Sequence, residues 1–322
     1  MRKTLIAFAA LALAAGAAVA QDTKGYPSKP IRMIVGYAPG GGVDIMARLI
    51  GPRITEALGQ QVIVENRPGA GQNIGAEIAS RAAPDGYTLF LASSALGINV
   101  SLYPKLSYDP IKSFVPIAVF AQSPNLLLVH PSMPVGTAKE FIAFARKNPG
   151  KLNFSSSGSG STQHLSGELL KLSTGVRMTH IPYKGSAPSL TALVSGEVDF
   201  AFNNIPSAQP FLQQNRLKAL AITSRKRSKL LPNVPTLIES GLKDFEVAAW
   251  YGVLAPAGTP NELVTRLNGV INAAVQSRDF NDRLAKLGAD TIHESPQFFA
   301  DFLKEEIERW HKVIKAAGAK PE

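Results

Sequence analysis

From Ile31 onward, short apolar runs alternate with longer amphipathic ones, and glycine, serine or proline stands between them. Ile31–Tyr37 alternates as a strand does, and Asp44 opens a helix with Met46, Leu49, Ile50, Ile54 and Leu58 on one face. Gly51-Pro52 interrupts that helix; proline has no amide to bond back to Arg48, which predicts a kink. Further strands are predicted at Val62–Glu65, Tyr87–Ala92, Leu152–Ser155, Arg177–Ile181, Val198–Phe202 and Leu217–Thr223. Helical patterns cover Ile74–Ala83, Thr137–Lys147, Thr162–Ser173 and Ser186–Ser195. Trp250–Pro260 reads as a strand running into a Pro/Gly turn, and helices Asn261–Gln276 and Ser295–Ala317 close the chain. The last helix carries Phe299, Phe302, Leu303, Ile307, Trp310, Val313 and Ile314 on one face, the signature of a docked surface helix. Strands alternating with helices of this length predict a parallel α/β sheet.

The pattern falls into two α/β blocks. Phe114–Ala121, Leu126–Val129 and Val247–Leu254 are apolar runs that could each carry the chain from one block to the other. A chain that leaves one block, builds a second and returns gives two lobes with two crossings. The expected division is residues 21–124 plus 250–322 for the first lobe and 125–249 for the second. Ligands of open α/β sheets sit outside the carboxyl ends of the strands, so two such edges facing each other form a cleft.

Arg2 and Lys3 precede the Ala-rich run Leu5–Val19, which ends Ala18-Val19-Ala20. A basic start, an apolar middle and an A-x-A site describe a cleavable signal peptide over residues 1–20 rather than an anchor. An exported chain with no cysteine needs no disulfides and offers no lipidation site, so a free periplasmic protein is expected, with no membrane insertion of the mature chain. The net charge of +10 suits an anionic ligand only weakly. Arg225–Lys229, the densest basic run, has no interleaved aromatics and reads as a solvated loop; no nucleic-acid partner is expected.

Four strand-to-helix loops carry candidate chemistry. In Pro39-Gly40-Gly41-Gly42-Val43-Asp44 the first amides of a helix are unpaired and sit at its positive end, and glycine lets an anion reach them. A tight turn with Asp44 as cap is the plainer alternative. Neither nucleotide-loop motif occurs here. Ser155–Thr162 contains only serine, glycine and threonine, with Ser161 or Thr162 as cap and the hydroxyls as neutral donors; a flexible linker is the alternative. His164 is either a polar first-turn residue or a contact. In His180–Pro188, Lys184 either reaches an anion or is solvated, and Tyr183 could line a pocket. The glycines of Glu65–Gly75 could simply shape the chain.

Catalytic chemistry finds little support. His130, His164, His180, His293 and His311 form no HExxH motif or close pair, so no metal is expected. No G-x-S-x-G elbow occurs, and the one S-x-x-K match, Ser240 to Lys243, falls in a glycine turn. No catalytic residue and no cofactor is assigned.

"GYAPGGGVDIMAR", "ENRPGAGQNIGAE", "FSSSGSGSTQHLSGELL", "IPYKGSAPSLTALVSGEVD", "LPNVPTLIESG" and "WYGVLAPAGTP" stand in an order and spacing that resemble the Bug (Bordetella uptake gene) family. These are periplasmic receptors associated with tripartite tricarboxylate transporters. The resemblance runs from about Pro30 to the C-terminus. It implies a two-lobed periplasmic binding protein of the type II, Venus-flytrap kind, each lobe a sheet flanked by helices, closing as a monomer over a small carboxylate-bearing molecule. Di-, tri- and aromatic acids all fit, and the implied partner is a membrane permease. A ligand sensor for a signalling ectodomain or a serine hydrolase are the alternatives. By the family pattern one carboxylate is held by Tyr37, Pro39, Gly40, Gly41, Gly42, Val43 and Asp44, with ordered water. Ser156, Gly158, Gly160, Ser161 and Thr162 grip from the second lobe, and Ser93, Ser94, Ala95, His164, Lys184 and Asn203 complete the lining. Two positions depart from the pattern. Val43 stands where threonine is frequent, and Asn203 where aspartate is frequent, which implies a ligand without an amino group.

Overall fold

The computed structural model describes residues 25–321, so the predicted signal peptide lies outside the described residues. Ten strands form one continuous sheet whose main path runs β2-β1-β3-β9-β4-β7-β5-β6. The strands are β1 (Ile31–Val35), β2 (Val62–Asn66), β3 (Thr88–Ser93), β4 (Phe114–Val129), β5 (Asn153–Ser156), β6 (Thr179–Pro182), β7 (Phe200–Asn204), β8 (Lys218–Ile222), β9 (Ala248–Pro256) and β10 (Asp290–Thr291). Both ends of the path are parallel, as the pattern predicts: β1 with β2 and β3, and β5 with β6 and β7. The middle is not. β9 and β4 run antiparallel to each other and to β3 and β7 respectively, and β8 and β10 also join β4 antiparallel. A helix follows most strands and supplies the parallel crossovers, whereas β4 and β9 are the connections between the two halves.

β4 is one strand rather than two runs. Phe114–Pro124 pairs with β9 and Asn125–Val129 pairs with β7 and β8, so the chain changes lobes inside a single hydrogen-bonded ribbon at Pro124-Asn125. On the return, Val247 donates its amide to Thr223 O (3.1 Å) directly before β9 begins. Proline at 124 withholds a ladder donor where the partner strand changes.

The helices are α1 (Gly42–Leu58), α2 (Asn73–Ser80), α3 (Ala95–Leu102), α4 (Ala138–Lys147), α5 (Thr162–Thr174), α6 (Ser186–Ser195), α7 (Ile205–Gln213), α8 (Asn261–Gln276), α9 (Arg278–Lys286) and α10 (Pro296–Ala317). α3, α7 and α9 do not show in the pattern: α3 is short and mostly apolar all round, α7 is short and interrupted by Pro206 and Pro210, and α9 follows α8 after Ser277 alone. α1 continues through Gly51-Pro52, and Thr55 Oγ1 donates to the Gly51 carbonyl (3.0 Å) one turn back.

Each half has its own core. Met33, Val35, Leu91, Phe120, Tyr251 and Phe280 pack in the first; Phe141, Phe154, Phe200, Phe202 and Phe245 pack in the second. α10 belongs to both. Phe299 and Leu303 pack on Trp250 of β9, while Trp310 and Ile314, two turns on, enter the second core. Buried Glu306 accepts from the indoles of Trp250 (3.2 Å) and Trp310 (2.9 Å) and pairs with Arg309 (3.1 Å). The last helix is thus a strap across the lobes, with Phe299 and Leu303 on one core and Trp310 and Ile314 in the other.

Candidate functional site

Five helices begin around one pocket between the halves. Gly41, Gly42 and Val43 come from the start of α1, Ser93 and Ser94 from the start of α3, and Ser161, Thr162 and Gln163 from the start of α5. Ser186 opens α6 and Asn204 caps α7; Tyr37, Ser157, Ala249 and Tyr251 complete the wall. Among the described residues, none on this wall is charged. Each helix start adds partial positive charge from its unpaired amides, so the pocket is electropositive without a cation.

The α1 entry is bare. Gly41 caps it with no side-chain bond, leaving the first-turn amides to the pocket. Asp44 does not face the pocket. Its carboxylate is buried and accepts from Gly40 N (2.9 Å), Asn66 Nδ2 (2.9 Å) and Arg48 Nε (3.0 Å). Burial works against its charge, but the Arg48, Gly40 and Asn66 bonds outweigh that and hold its pKa below the usual range. Asp44 therefore ties the loop down from behind. Gly42 has a second constraint: a Cβ there would lie 2.6 Å from Asn204 Nδ2, so glycine is where the lobes touch.

The α5 entry is propped by side chains. Ser161 Oγ accepts from His164 N (3.2 Å), and Ser157 Oγ donates to Gln163 Oε1 (3.0 Å). His164 lies off the pocket: it is buried, its Nδ1 accepts from Gly160 N (3.3 Å), and its ring stacks on His180 at 4.1 Å. Ser156 also lies off the pocket, with Oγ 2.6 Å from His180 Nε2 and accepting from Gly158 N (3.0 Å). Burial lowers the His164 pKa to about 4; burial and the neighbouring His164 lower that of His180 to about 2. The oxygen of Ser156 in this Ser–His pair is enclosed by its own loop, bonding both the N–H and the carbonyl of Gly158.

Tyr251 stands out on the first-lobe side. Its hydroxyl is fully buried, and Tyr251 lines the pocket with no hydrogen-bond partner for that hydroxyl among the described residues. Burial raises its pKa, so it stays a neutral donor. Tyr37 lies 3.5 Å from Ser93 Oγ, and Ser93 in turn bonds Gln72 Oε1 through Oγ (3.2 Å) and N (3.3 Å). Gln72 brings the Glu65–Gly75 motif to the site.

A second chamber opens on the far side of Tyr37 and Ser157. Gly36, Gly69, Gly71, Gln72 and Tyr103 face it from the first lobe, and Gly158, Ser159, Tyr183 and Lys184 from the second. The lobes touch here too, with Ala38 N donating to Lys184 O (2.9 Å).

Of the expected lining residues, the inner wall holds Tyr37, Gly41, Gly42, Val43, Ser93, Ser94, Ser161 and Thr162, and the outer chamber holds Gly158 and Lys184. Pro39 and Gly40 are exposed at the rim. Asp44, Ala95, Ser156, Gly160 and His164 are buried behind the walls, and buried Asn203 lies on neither. Sequence reasoning missed Ser157, Gln163, Ser186, Asn204, Ala249 and Tyr251. Ser186 and Asn204 stand at strand-to-helix junctions like the other loops, which is a usable signal; Tyr251, inside an apolar strand, has none.

Residues 46–319 match the tripartite tricarboxylate transporter family receptor, TctC. The chain belongs to this family. It is 38% identical over 306 residues to protein BugT of Bordetella pertussis, covering 94% of this chain and 93% of that one. Among solved structures, a Rhodopseudomonas palustris protein with adipate superposes with a TM-score of 0.90 at 39% identity, covering 92% of this chain and all of that one. MatC from the same organism, with bound malate, gives 0.85 at 36% identity, over 90% of this chain and all of its own. This TctC-family chain therefore has the two-lobed fold of periplasmic binding proteins and belongs to a family of solute-binding receptors.

Proposed function

We propose that the inner pocket holds one carboxylate of a small organic acid, and that the receptor closes on that acid and delivers it to the membrane permease of a tripartite tricarboxylate transporter. The observation that carries this reading is the convergence of five helix starts on a wall with no charged side chain. Bare amides at α1, the Ser161 hydroxyl at α5 and the Tyr251 hydroxyl, unpartnered among the described residues, are all donors, and an anion is what such a set solvates. Adipate in one relative and malate in another support the class. Among the described residues neither chamber has an Asp or Glu in its lining, so an ammonium would find no partner there and a deaminated acid is preferred over its amino acid. The protein acts in the periplasm as a monomer, without cofactor and without turnover; enclosed Ser156 supports binding rather than acyl transfer.

Both tryptophans meet at Glu306 on the helix that straps the lobes, so fluorescence reports closure. Titration with an acid panel is expected to give a saturable change for at least one acid, recovered intact. Gly41→Asp and Ser161→Asp are each expected to abolish that change, since they place a carboxylate among the donors. Conversion of the acid, or unchanged affinity in both variants, would refute the reading.

A further inference from the structure

β5 and β7 lie side by side, and their C-terminal ends open on the cleft through Ser157 and Asn204. Their N-terminal ends open on a different space. Leu152 and Asp199, directly before those strands, line a cavity of about 340 Å³ at the far pole of the second lobe. β7 is five residues long, so about 17 Å of strand separates this cavity from the cleft. Its volume is that of a small-molecule site. Met133, Phe144, Leu152 and Val198 give it an apolar floor. Asn148 caps the C-terminus of α4 and Gly196 that of α6, and both residues line the cavity. Helix C-termini carry partial negative charge, the opposite of the helix starts at the cleft.

Two charged residues share this lining, Lys151 and Asp199, and neither makes an ion pair with the other or with any other described residue. Asp199 accepts from Asn153 N (2.7 Å) through one oxygen, which leaves the second available. His130 accepts from Ser132 N (3.2 Å) at Nδ1, so its neutral ring carries the proton on Nε2. A separated acid and base above an apolar floor match a molecule with both charges and an apolar body. We propose that this cavity is a second ligand site, distinct from the cleft, and that it takes an α-amino acid with an apolar side chain. Asp199 and the ends of α4 and α6 receive the ammonium, Lys151 and His130 receive the carboxylate, and the floor covers the side chain. The cleft lining has no acid for an ammonium, so the two ends of one lobe separate small acids by their amino group.

Amide NMR of the isotopically labelled protein, titrated with L-leucine, L-methionine and L-phenylalanine, provides the test. At least one is expected to give saturable shifts at the Lys151, Gly196 and Asp199 amides, with the same Kd in Gly41→Asp, whose cleft is blocked. For the best of the three, the carboxamide and the N-acetyl derivative are each expected to bind about fivefold weaker, because each lacks one charge. Lys151→Gln brings the amino acid and its carboxamide to equal affinity, and Asp199→Asn does the same for the amino acid and its N-acetyl form. Asparagine keeps an oxygen for Asn153 N, and an unchanged melting temperature checks that the lobe is intact. No saturable shift with any of the three, shifts confined to the cleft amides and lost in Gly41→Asp, or equal affinity of the three chemical forms in the parent protein overturns the assignment. Each of these outcomes leaves the receptor reading of the cleft standing.

Discussion

The loops that open α1 and α5 face each other across the inner pocket and do the same work by different means. The α1 loop presents uncapped amides and is clamped from outside the pocket, by Asp44 and by contact with Asn204 of the other lobe. The α5 loop is built from hydroxyls that bond the Gln163 amide and the His164 backbone N–H, and it rests on the His164–His180 stack. The first is therefore shaped partly by closure and the second by its own lobe. Changes in the α1 loop should act on binding, and changes in the α5 loop on stability.

Gly42→Ala is the most severe way to test this division. The added Cβ meets Asn204, whose Oδ1 is already held by Ser207 N (3.2 Å) and Oγ (2.7 Å), so that side chain cannot swing away freely. Overpacking of this kind costs about 1–3 kcal/mol. Here the cost falls on closed lobes only, so ligand affinity is expected to drop about 10- to 100-fold. Thermal stability of the unliganded protein should stay near the parent's. A large loss of melting temperature instead would show that the lobe contact belongs to the fold.

Acid should separate the loops in the opposite direction. Unfolded imidazoles titrate near the ordinary value of about 6.5, whereas in the fold burial holds His164 at about 4 and His180 at about 2. Glu168, 3.9 Å from His164, favours the proton, and Lys171, 2.9 Å from Glu168, opposes it. Below pH ~6.5 the unfolded chain binds more protons than the folded one, so stability falls with falling pH. The loss reaches about 1.4 kcal/mol per pH unit for each histidine that stays neutral. Urea denaturation between neutral and mildly acidic pH is expected to show this slope, and His180→Gln to reduce it by one proton. Asp44, with its lowered pKa, keeps the α1 clamp through the same range. An unchanged slope in His180→Gln would place the acid sensitivity elsewhere.

Tyr251→Phe probes the pocket between the loops. Removing a buried hydroxyl that bonds nothing relieves a desolvated group, so the unliganded protein should be as stable as before or slightly more so. A hydrogen bond to a charged ligand contributes about 1.5–3 kcal/mol, so affinity is expected to fall about tenfold or more. Loss of stability with affinity preserved would mean that the hydroxyl serves the core.

What the sequence revealed follows the range of each signal. Helix starts are local, and Gly41, Ser161 and Thr162 announce themselves within a few residues of the strand before them. β4 as one ribbon is not local: Phe114–Ala121 and Leu126–Val129 look separate because Gln122–Asn125 is polar or proline, and only β9, β7 and β8 on either side make it continuous. The antiparallel middle of the sheet is hidden for the same reason. His164 and Asn203 sit at sequence positions that imply contact with a ligand, but a helix or strand has a back as well as a front: His164 packs against Gly160 and His180 of its own lobe, and buried Asn203 lines neither chamber. Tyr251 reads as core because a fully buried tyrosine in an apolar strand gives no sign that its hydroxyl borders a pocket.

Ser161→Ala should have the smallest effect and bears most directly on the comparison. Ser161 caps α5 through His164 N, and loss of a serine cap costs about 1 kcal/mol. Gly41 gives α1 no side-chain cap to lose, so no equivalent substitution exists in the α1 loop. Ser161→Gly keeps the backbone freedom of a cap and should cost only a few tenths of a kcal/mol. Urea midpoints ordered parent, Ser161→Gly, Ser161→Ala would show the hydroxyl acting on the lobe through the helix. If affinity fell in both variants by the same factor while the midpoints stayed level, Ser161 would resemble the α1 glycines, and the two loops would differ in composition alone.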